Sequence, residues 1–269
     1  MADRPELHYT LHGRRDAAAP TLLLSAGLGG AGQFWTPQLE ALGRSHRLIT
    51  YDHRGTGKSP GRLPADYSVA DMAQDVIRLL DALDMPRVSF MGHALGGLIG
   101  LELAHLAPER LDQLVVINGW AAPDPHTARC FRTRLTLLEQ AGMAAWLDAQ
   151  PLFLYPADWL SANARHIAEE IHAALDHPPD ADNLRARVGA ATTFDLRERA
   201  SALATETLVI ATRDDLLVPW TRARELADAL PRARLELLDY GGHGVTVTAP
   251  DTVNAVSYTH LTLPTIYSV

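Results

Sequence analysis

Continuous apolar or β-branched runs recur along the chain at Thr21–Ser25, Arg47–Tyr51, Arg87–Met91, Gln113–Asn118, Glu206–Thr212 and Arg234–Asp239. They do not alternate apolar with polar residues, which is the pattern of parallel strands buried on both faces. Helical periods lie between most of them. Ser68 followed by Asp71 reads as a capping box, opening a helix with apolar positions at Val69, Met72, Ala73, Val76, Ile77, Leu80 and Leu83. The run Leu95–Leu106 is apolar almost all round, which predicts a central buried helix stopped ahead of Pro108. Thr221–Leu230 predicts another helix, closed by Pro231. Strand and helix in alternation predict an α/β fold, a mostly parallel sheet with helices on both faces and right-handed crossovers.

The rhythm breaks between Trp120 and Ala200. Phe131, Leu135 and Leu138, then Trp146, then Ile167, Ile171 and Leu175 keep a helical period, and no strand pattern interrupts them. Aromatics gather at Phe153, Tyr155 and Trp159. This stretch reads as a helical insertion over the strand ends, where it would serve as a lid; the alternative is a helical subdomain with no gating role. The expected organisation is a core from 1–119 and 200–256 with a helical cap from 120–199. Asp251, after Pro250, caps a helix running through Val256. The segment 257–269 has no helical period and is rich in Thr and β-branched residues, so it reads as a non-native or irregular tail.

Composition narrows the function. Of 269 residues, 47% are hydrophobic and 21% charged, which fits one large globular unit with an insertion. Lys plus Arg number 24 against 32 Asp plus Glu, a net charge of −8, and no basic run offsets it, which argues against nucleic acid. The single Cys130 fits a reducing compartment. The N-terminus lacks an apolar signal core, and no apolar run approaches the roughly 20 residues of a membrane span. The expectation is a cytoplasmic protein acting on a small molecule, without membrane or nucleic-acid partners and with a homodimer left open.

Three glycine-rich motifs compete for the chemistry. Gly27-Leu-Gly29-Gly-Ala-Gly32 satisfies the dinucleotide pattern G-x-G-x-x-G, with Asp52 beyond it. Its last glycine should lie in a helix, yet Pro37 marks the first turn of a later helix with Thr36 as its cap, so the glycines form a loop. Asp52-His-Arg-Gly-Thr-Gly57-Lys58-Ser59 resembles the end of a phosphate-binding loop, but Asp52 stands where its first glycine belongs and Pro60 where its helix should open. The third, Gly92-His93-Ala94-Leu95-Gly96, joins a strand to the buried helix, the context of a nucleophile elbow. Alanine occupies the nucleophile position.

An elbow needs an acid and then a histidine later in the chain. Asp215, ahead of Leu-Leu-Val-Pro219, follows the strand Glu206–Thr212, and His243 lies in Gly241-Gly-His-Gly244 after the next strand. Both fall beyond the carboxyl ends of parallel strands, where open α/β sheets put their sites. His93 reads as a packing residue, and Arg54 as an anchor of its own turn more than an anion ligand. Ser25 and Cys130 are the alternative nucleophiles, with Ser25 expected to bond the adjacent loop. Histidine spacing gives no zinc pattern, and neither metal nor cofactor is expected.

With these motifs the chain resembles the α/β-hydrolases. Further stretches are similar, more narrowly, to the carbamate (or aminoacrylate) hydrolases of pyrimidine utilisation: Gly-His-Ala-Leu-Gly at 92–96, Asn118-Gly-Trp120, Ala149-Gln-Pro-Leu-Phe-Leu-Tyr-Pro-Ala-Asp-Trp159, Asp214-Asp-Leu-Leu-Val-Pro219 and Tyr240-Gly-Gly-His243. The resemblance runs to Val256 and implies hydrolysis of a small C–N substrate in uracil catabolism. The expected machinery is a water activated by His243, held by Asp215, at the gap above Ala94. The backbone N–H groups of Leu28 and Leu95 form the oxyanion hole, and Ser25 and Trp120 are expected along the pocket. The rival reading is a catalytically inert relative that binds a ligand or partner.

Overall fold

The computed structural model describes residues 7–16 and 18–262. Seven strands form one sheet: β1 (Tyr9–Gly13), β2 (Thr21–Ser25), β3 (Arg47–Tyr51), β4 (Val88–His93), β5 (Leu111–Ile117), β6 (Glu206–Thr212) and β7 (Ala233–Leu238). Their order is β1-β3-β2-β4-β5-β6-β7, parallel throughout except for the antiparallel β1 at one edge. Alternate residues on a strand face opposite sides, so Leu23, Ile49, Phe90 and Val116 join one core cluster while Leu22, Leu24, Leu48 and Met91 join another. The helices α2 (Val69–Ala82), α3 (Leu95–Leu106) and α8 (Trp220–Ala229) cover the first face. The second is covered by α1 (Thr36–Gly43) and α10 (Pro250–Thr262), the latter following the short α9 (Val245–Thr248).

The expected capping box opens α2: the Ser68 hydroxyl accepts from the Asp71 N–H (3.2 Å), and the Asp71 carboxylate accepts from the Ser68 N–H (2.9 Å). Every residue of α3 from Leu95 to Ala104 is buried. Between β5 and β6 run α4 (Pro125–Leu154), α5 (Ala157–Ala162), α6 (Ala164–Asp176) and α7 (Ala181–Thr193). The first of these is broken at Gly142, whose φ of 84° and ψ of −178° lie outside the helical region. Among the described residues no helix is long and apolar enough to cross a membrane.

Three features depart from the sequence expectations. The edge strand β1 carries no continuous apolar run, because Thr10 and Leu11 face solvent and one neighbour, β3, supplies all its pairing. Thr36 is not a cap: a 3₁₀ turn over Gly32–Trp35 starts the helical course early, and the Thr36 hydroxyl donates to the Gln33 carbonyl (2.7 Å). The last helix does not end at Val256 but continues through Thr262, with Ser257, His260 and Leu261 buried. Its inward face is made by Val253, Ser257, His260 and Leu261, so the period exists but is partly carried by polar residues; the His260 carbonyl accepts from Gln113 Nε2 (3.1 Å). The remainder of that expected tail, 263–269, lies outside the described residues.

Candidate active site

β4 ends at His93, and the chain turns into α3 through Ala94, which holds φ 47° and ψ −115°. A non-glycine residue in that region costs on the order of 1–3 kcal/mol and persists only where surrounding contacts impose it. Here the Ala94 N–H donates to the Ile117 carbonyl (2.8 Å), and the flanking glycines admit backbone at contact distance. A Cβ on Gly96 would run into the Ser25 and Ala26 carbonyls, and one on Gly92 into the Gly96 carbonyl. The turn therefore presents residue 94 as an elbow presents its nucleophile, and what it presents is a methyl group.

The loop after β2 lies against this turn, since a Cβ on Gly27 would stand 3.6 Å from the Ala94 methyl. Leu95 is the first residue of α3, so no intrahelical carbonyl reaches its N–H. Among the described residues neither that N–H nor the N–H of Leu28 has a hydrogen-bond partner.

Asp215 and His243 come together from separate strand ends. His243 Nδ1 donates to Asp215 Oδ2 at 2.8 Å, with the two side chains 3% and 1% exposed. The other carboxylate oxygen accepts from the N–H groups of Leu217 and Val218, each at 2.8 Å, which fixes the acid in its own turn. Three further side chains clasp the histidine loop from the core. The His243 carbonyl accepts from His93 Nε2 (2.7 Å) and Asn118 Nδ2 (2.9 Å), and the Gly242 carbonyl from the Thr212 hydroxyl (2.7 Å). Asp214, adjacent to the acid, accepts from the N–H groups of Gly241 (3.1 Å) and Gly242 (2.9 Å). His93 thus does more than pack. Burial holds its protonation down to about 3, so the ring is neutral and carries its proton on Nε2 to make that bond. Its centroid lies 4.8 Å from that of His243.

The other expected residues take structural places. Ser25 and Trp120 are 0% and 1% exposed, so neither faces open solvent. The Ser25 hydroxyl does not bond the loop that follows it; it pairs with the Tyr51 hydroxyl (2.8 Å) and His53 Nε2 (3.3 Å), because β3 lies directly beside β2. Arg54 grips Asp75 through Nε (3.0 Å) and Nη2 (2.7 Å), an anchor within the core. The Cys130 thiol, pushed up by burial, is a poor nucleophile. Asp52 holds the two glycine motifs together, accepting from the N–H of Gly32 (2.8 Å) and of Lys58 (3.0 Å), so neither motif is a free phosphate cradle.

The helices after β5 reach the loops that carry Asp215 and His243 and the segment after β3. Next to Cys130, His126 Nε2 donates to the Leu216 carbonyl (2.6 Å) beside the acid. The Gly244 N–H donates to the Leu154 carbonyl (2.7 Å) beside the histidine. From α7, Asn183 Nδ2 donates to the carbonyls of Gly55 and Gly61, each at 3.1 Å, and the Arg187 guanidinium bonds the Thr56 hydroxyl next to the loop after β2. Neither Asn183 nor Arg187 stood out in the sequence, since an Asn and an Arg in a polar helix read as surface.

Comparison with known proteins identifies the family. The family model for the alpha/beta hydrolase fold covers residues 20–150. The chain is 51% identical over 255 residues, 95% of this chain and 96% of the relative, to the protein of Stutzerimonas stutzeri named "Putative carbamate hydrolase RutD". A protein of the same name from Agrobacterium fabrum is 47% identical over 248 residues, 92% and 95% of the two chains. Among solved structures, the enol-lactonase from Burkholderia xenovorans superposes with a TM-score of 0.87 at 30% identity, covering 96% of each chain. The chain belongs to the α/β-hydrolase fold family and, within it, to the group of proteins named RutD.

Proposed function

We propose that this protein hydrolyses carbamate, a C–N substrate, to ammonia and bicarbonate, using water in place of a serine nucleophile. The observation that carries the reading is the buried Asp215–His243 pair, retained beside an elbow whose side chain is a methyl. A water above the Ala94 methyl would give its proton to His243 Nε2 while its oxygen bonds to the carbamate carbon. The N–H groups of Leu28 and Leu95 would take the charge developing on the carbamate oxygens. The imidazolium, steadied by Asp215, would then return the proton to the departing nitrogen as the C–N bond breaks. The relatives' shared name supports carbamate as the substrate, and the motifs similar to those of the hydrolases of pyrimidine utilisation support that pathway. The helices over 125–193 act in this reading as a lid that keeps bulk water from the adduct. Without a covalent nucleophile, a site of this kind retains roughly 10³–10⁴-fold over water, which suits a substrate that already decomposes readily.

Ala94 favours a second reading, an inert relative that only binds a ligand. Ammonia release from carbamate, measured for the wild type, His243→Ala and Ala94→Ser, separates them. The hydrolytic reading expects His243→Ala to fall to the spontaneous rate and Ala94→Ser to gain labelling by a fluorophosphonate. Equal rates for the wild type and His243→Ala would leave the binding reading in possession.

A further inference from the structure

Arg187 is 0% exposed and makes one hydrogen bond, from Nη1 to the Thr56 hydroxyl. Its Nε and Nη2 are buried without partners, and among the described residues it has no carboxylate neighbour in ion-pair contact. Those two nitrogens form the edge of a guanidinium that grips a carboxylate with parallel N–H bonds. Arg54 in the same protein uses that same edge on Asp75, at 3.0 and 2.7 Å. The difference is that Arg54 has its acid in Asp75, whereas Arg187 has none among the described residues. The other deeply buried arginine, Arg134, is instead stacked against Phe131, Trp146 and Phe153 and bonded to Gln150.

The position of this free edge is set by α7. Asn183 and Arg187, one helical turn apart, both bond the segment after β3, and Asn183 Oδ1 also accepts from the Leu63 N–H (2.8 Å). Thr56 and His53 in turn pack on the oxyanion loop: a Cβ on Gly30 would stand 3.0 Å from the Thr56 hydroxyl and 3.0 Å from the His53 Cβ. The guanidinium is therefore one hydroxyl away from the loop that carries the Leu28 N–H.

We propose that Arg187 is the anion-recognising residue of this site, its Nε and Nη2 hydrogens forming a fork for one small carboxylate or carbamate. The proposal deepens the carbamate reading and rests on it for the identity of the anion; the fork itself requires only a small carboxylate. Carbamate enters with one negative charge, and addition of water raises the adduct to two. Two neutral backbone N–H groups provide no net charge against that, whereas a guanidinium does. Both free nitrogens are closed off from solvent, so an anion reaches them only when the residues that cover them give way. The resulting specificity is for anions over neutral amides of the same shape.

Acetate and acetamide test this without any turnover, because acetate matches carbamate in shape with a methyl in place of the amino group. Calorimetric titration of the wild type is expected to show acetate preferred over acetamide by roughly tenfold or more, as charge-assisted bidentate pairing implies. Arg187→Gln is expected to abolish that preference, and Arg187→Lys, which keeps the charge but not the fork, to retain part of it. Since a buried substitution can unfold the chain, the wild type supplies an independent readout: the Arg187 Nε proton resonance should move downfield with acetate while that of Arg54 stays in place. Equal binding of the two probes, an acetate preference unchanged in Arg187→Gln, or an unmoved Arg187 resonance would overturn the proposal. If carbamate turnover is absent but the acetate preference holds, the hydrolytic reading fails alone; turnover without the preference refutes only this one.

Discussion

Gly244, next to His243, is a tight steric joint between the inserted helices and the core loops. Its φ of −88° lies outside the left-handed region that calls for glycine, so a substitution tests chiefly space. In Gly244→Ala the new Cβ would stand 2.6 Å from Tyr155 Cε1, 2.9 Å from Cδ1 and 3.3 Å from the Leu154 carbonyl oxygen. Carbon atoms pack at about 3.5–4.0 Å, so the ring must retreat by roughly 1 Å. It is backed by Trp159, whose ring centroid lies 4.7 Å away, and the same segment supplies the carbonyl that accepts from the Gly244 N–H. Overpacking costs about 1–3 kcal/mol and the strained hydrogen bond about 1 more, giving a loss of about 2–4 kcal/mol. For a domain of this size that lowers Tm by roughly 5–15 °C. Burial lifts the Tyr155 phenol to about 12, and displacement should return it toward the ordinary value near 10, readable by NMR of labelled tyrosine. Gly29→Ala, where a Cβ meets nothing within 4 Å, serves as the control and should stay within about 0.5 kcal/mol of wild type. In a Tyr155→Ala background the obstacle is gone, so the Gly244→Ala cost should shrink below about 1 kcal/mol. A Gly244→Ala protein as stable as the control, with Tyr155 titrating unchanged, refutes the contact.

Two other expectations concern stability. His53 and His93, both wholly buried, resist protonation down to about 3, whereas an unfolded histidine titrates near 6.5. The unfolded chain therefore binds protons that the folded one refuses, and stability should fall as pH drops from about 6.5 toward 3, by about 4 kcal/mol at pH 5 for the pair. Urea midpoints at pH 7 and 5 measure this, and His93→Gln should remove about half of the acid-induced loss; an unchanged slope contradicts the assignment. Leu261→Ala should cost about 2–4 kcal/mol, because Leu261 packs with Val253 and the sheet in the second core cluster. A neutral result by urea denaturation would mean that the helix over 257–262 contributes nothing to that core.

The sheet was legible because its information is local. A strand between two neighbours is buried on both faces, so the five interior strands β2 to β6 show as largely apolar runs; of the two edge strands, β7 was legible from Leu235, Leu237 and Leu238 although Arg234 and Glu236 interrupt it, and β1 offered no such run. The elbow was legible for a related reason: two glycines around a single residue between a strand and a helix encode a turn too tight for side chains, whatever stands at its centre. Asp215 and His243 could be singled out by order and loop context, but their 2.8 Å bond is a product of β6 and β7 ending side by side. The end of α10 was misread because its inward positions include Ser257 and His260, which an apolar period does not count.

What the chain dictates by itself is which interior segments are strands, which helix is central, where the turn without a nucleophile falls, and which aspartate and histidine follow it. Contacts between segments distant in sequence decided everything else. Asn118, His93, Thr212 and Asp214 became the clasp of the histidine loop only when four strand ends converged on it. Arg187 is left without a carboxylate partner among the described residues because α7 packs it against the segment after β3. A side chain's type is written in the sequence, but its burial and its lack of a partner are set by what the fold lays across it.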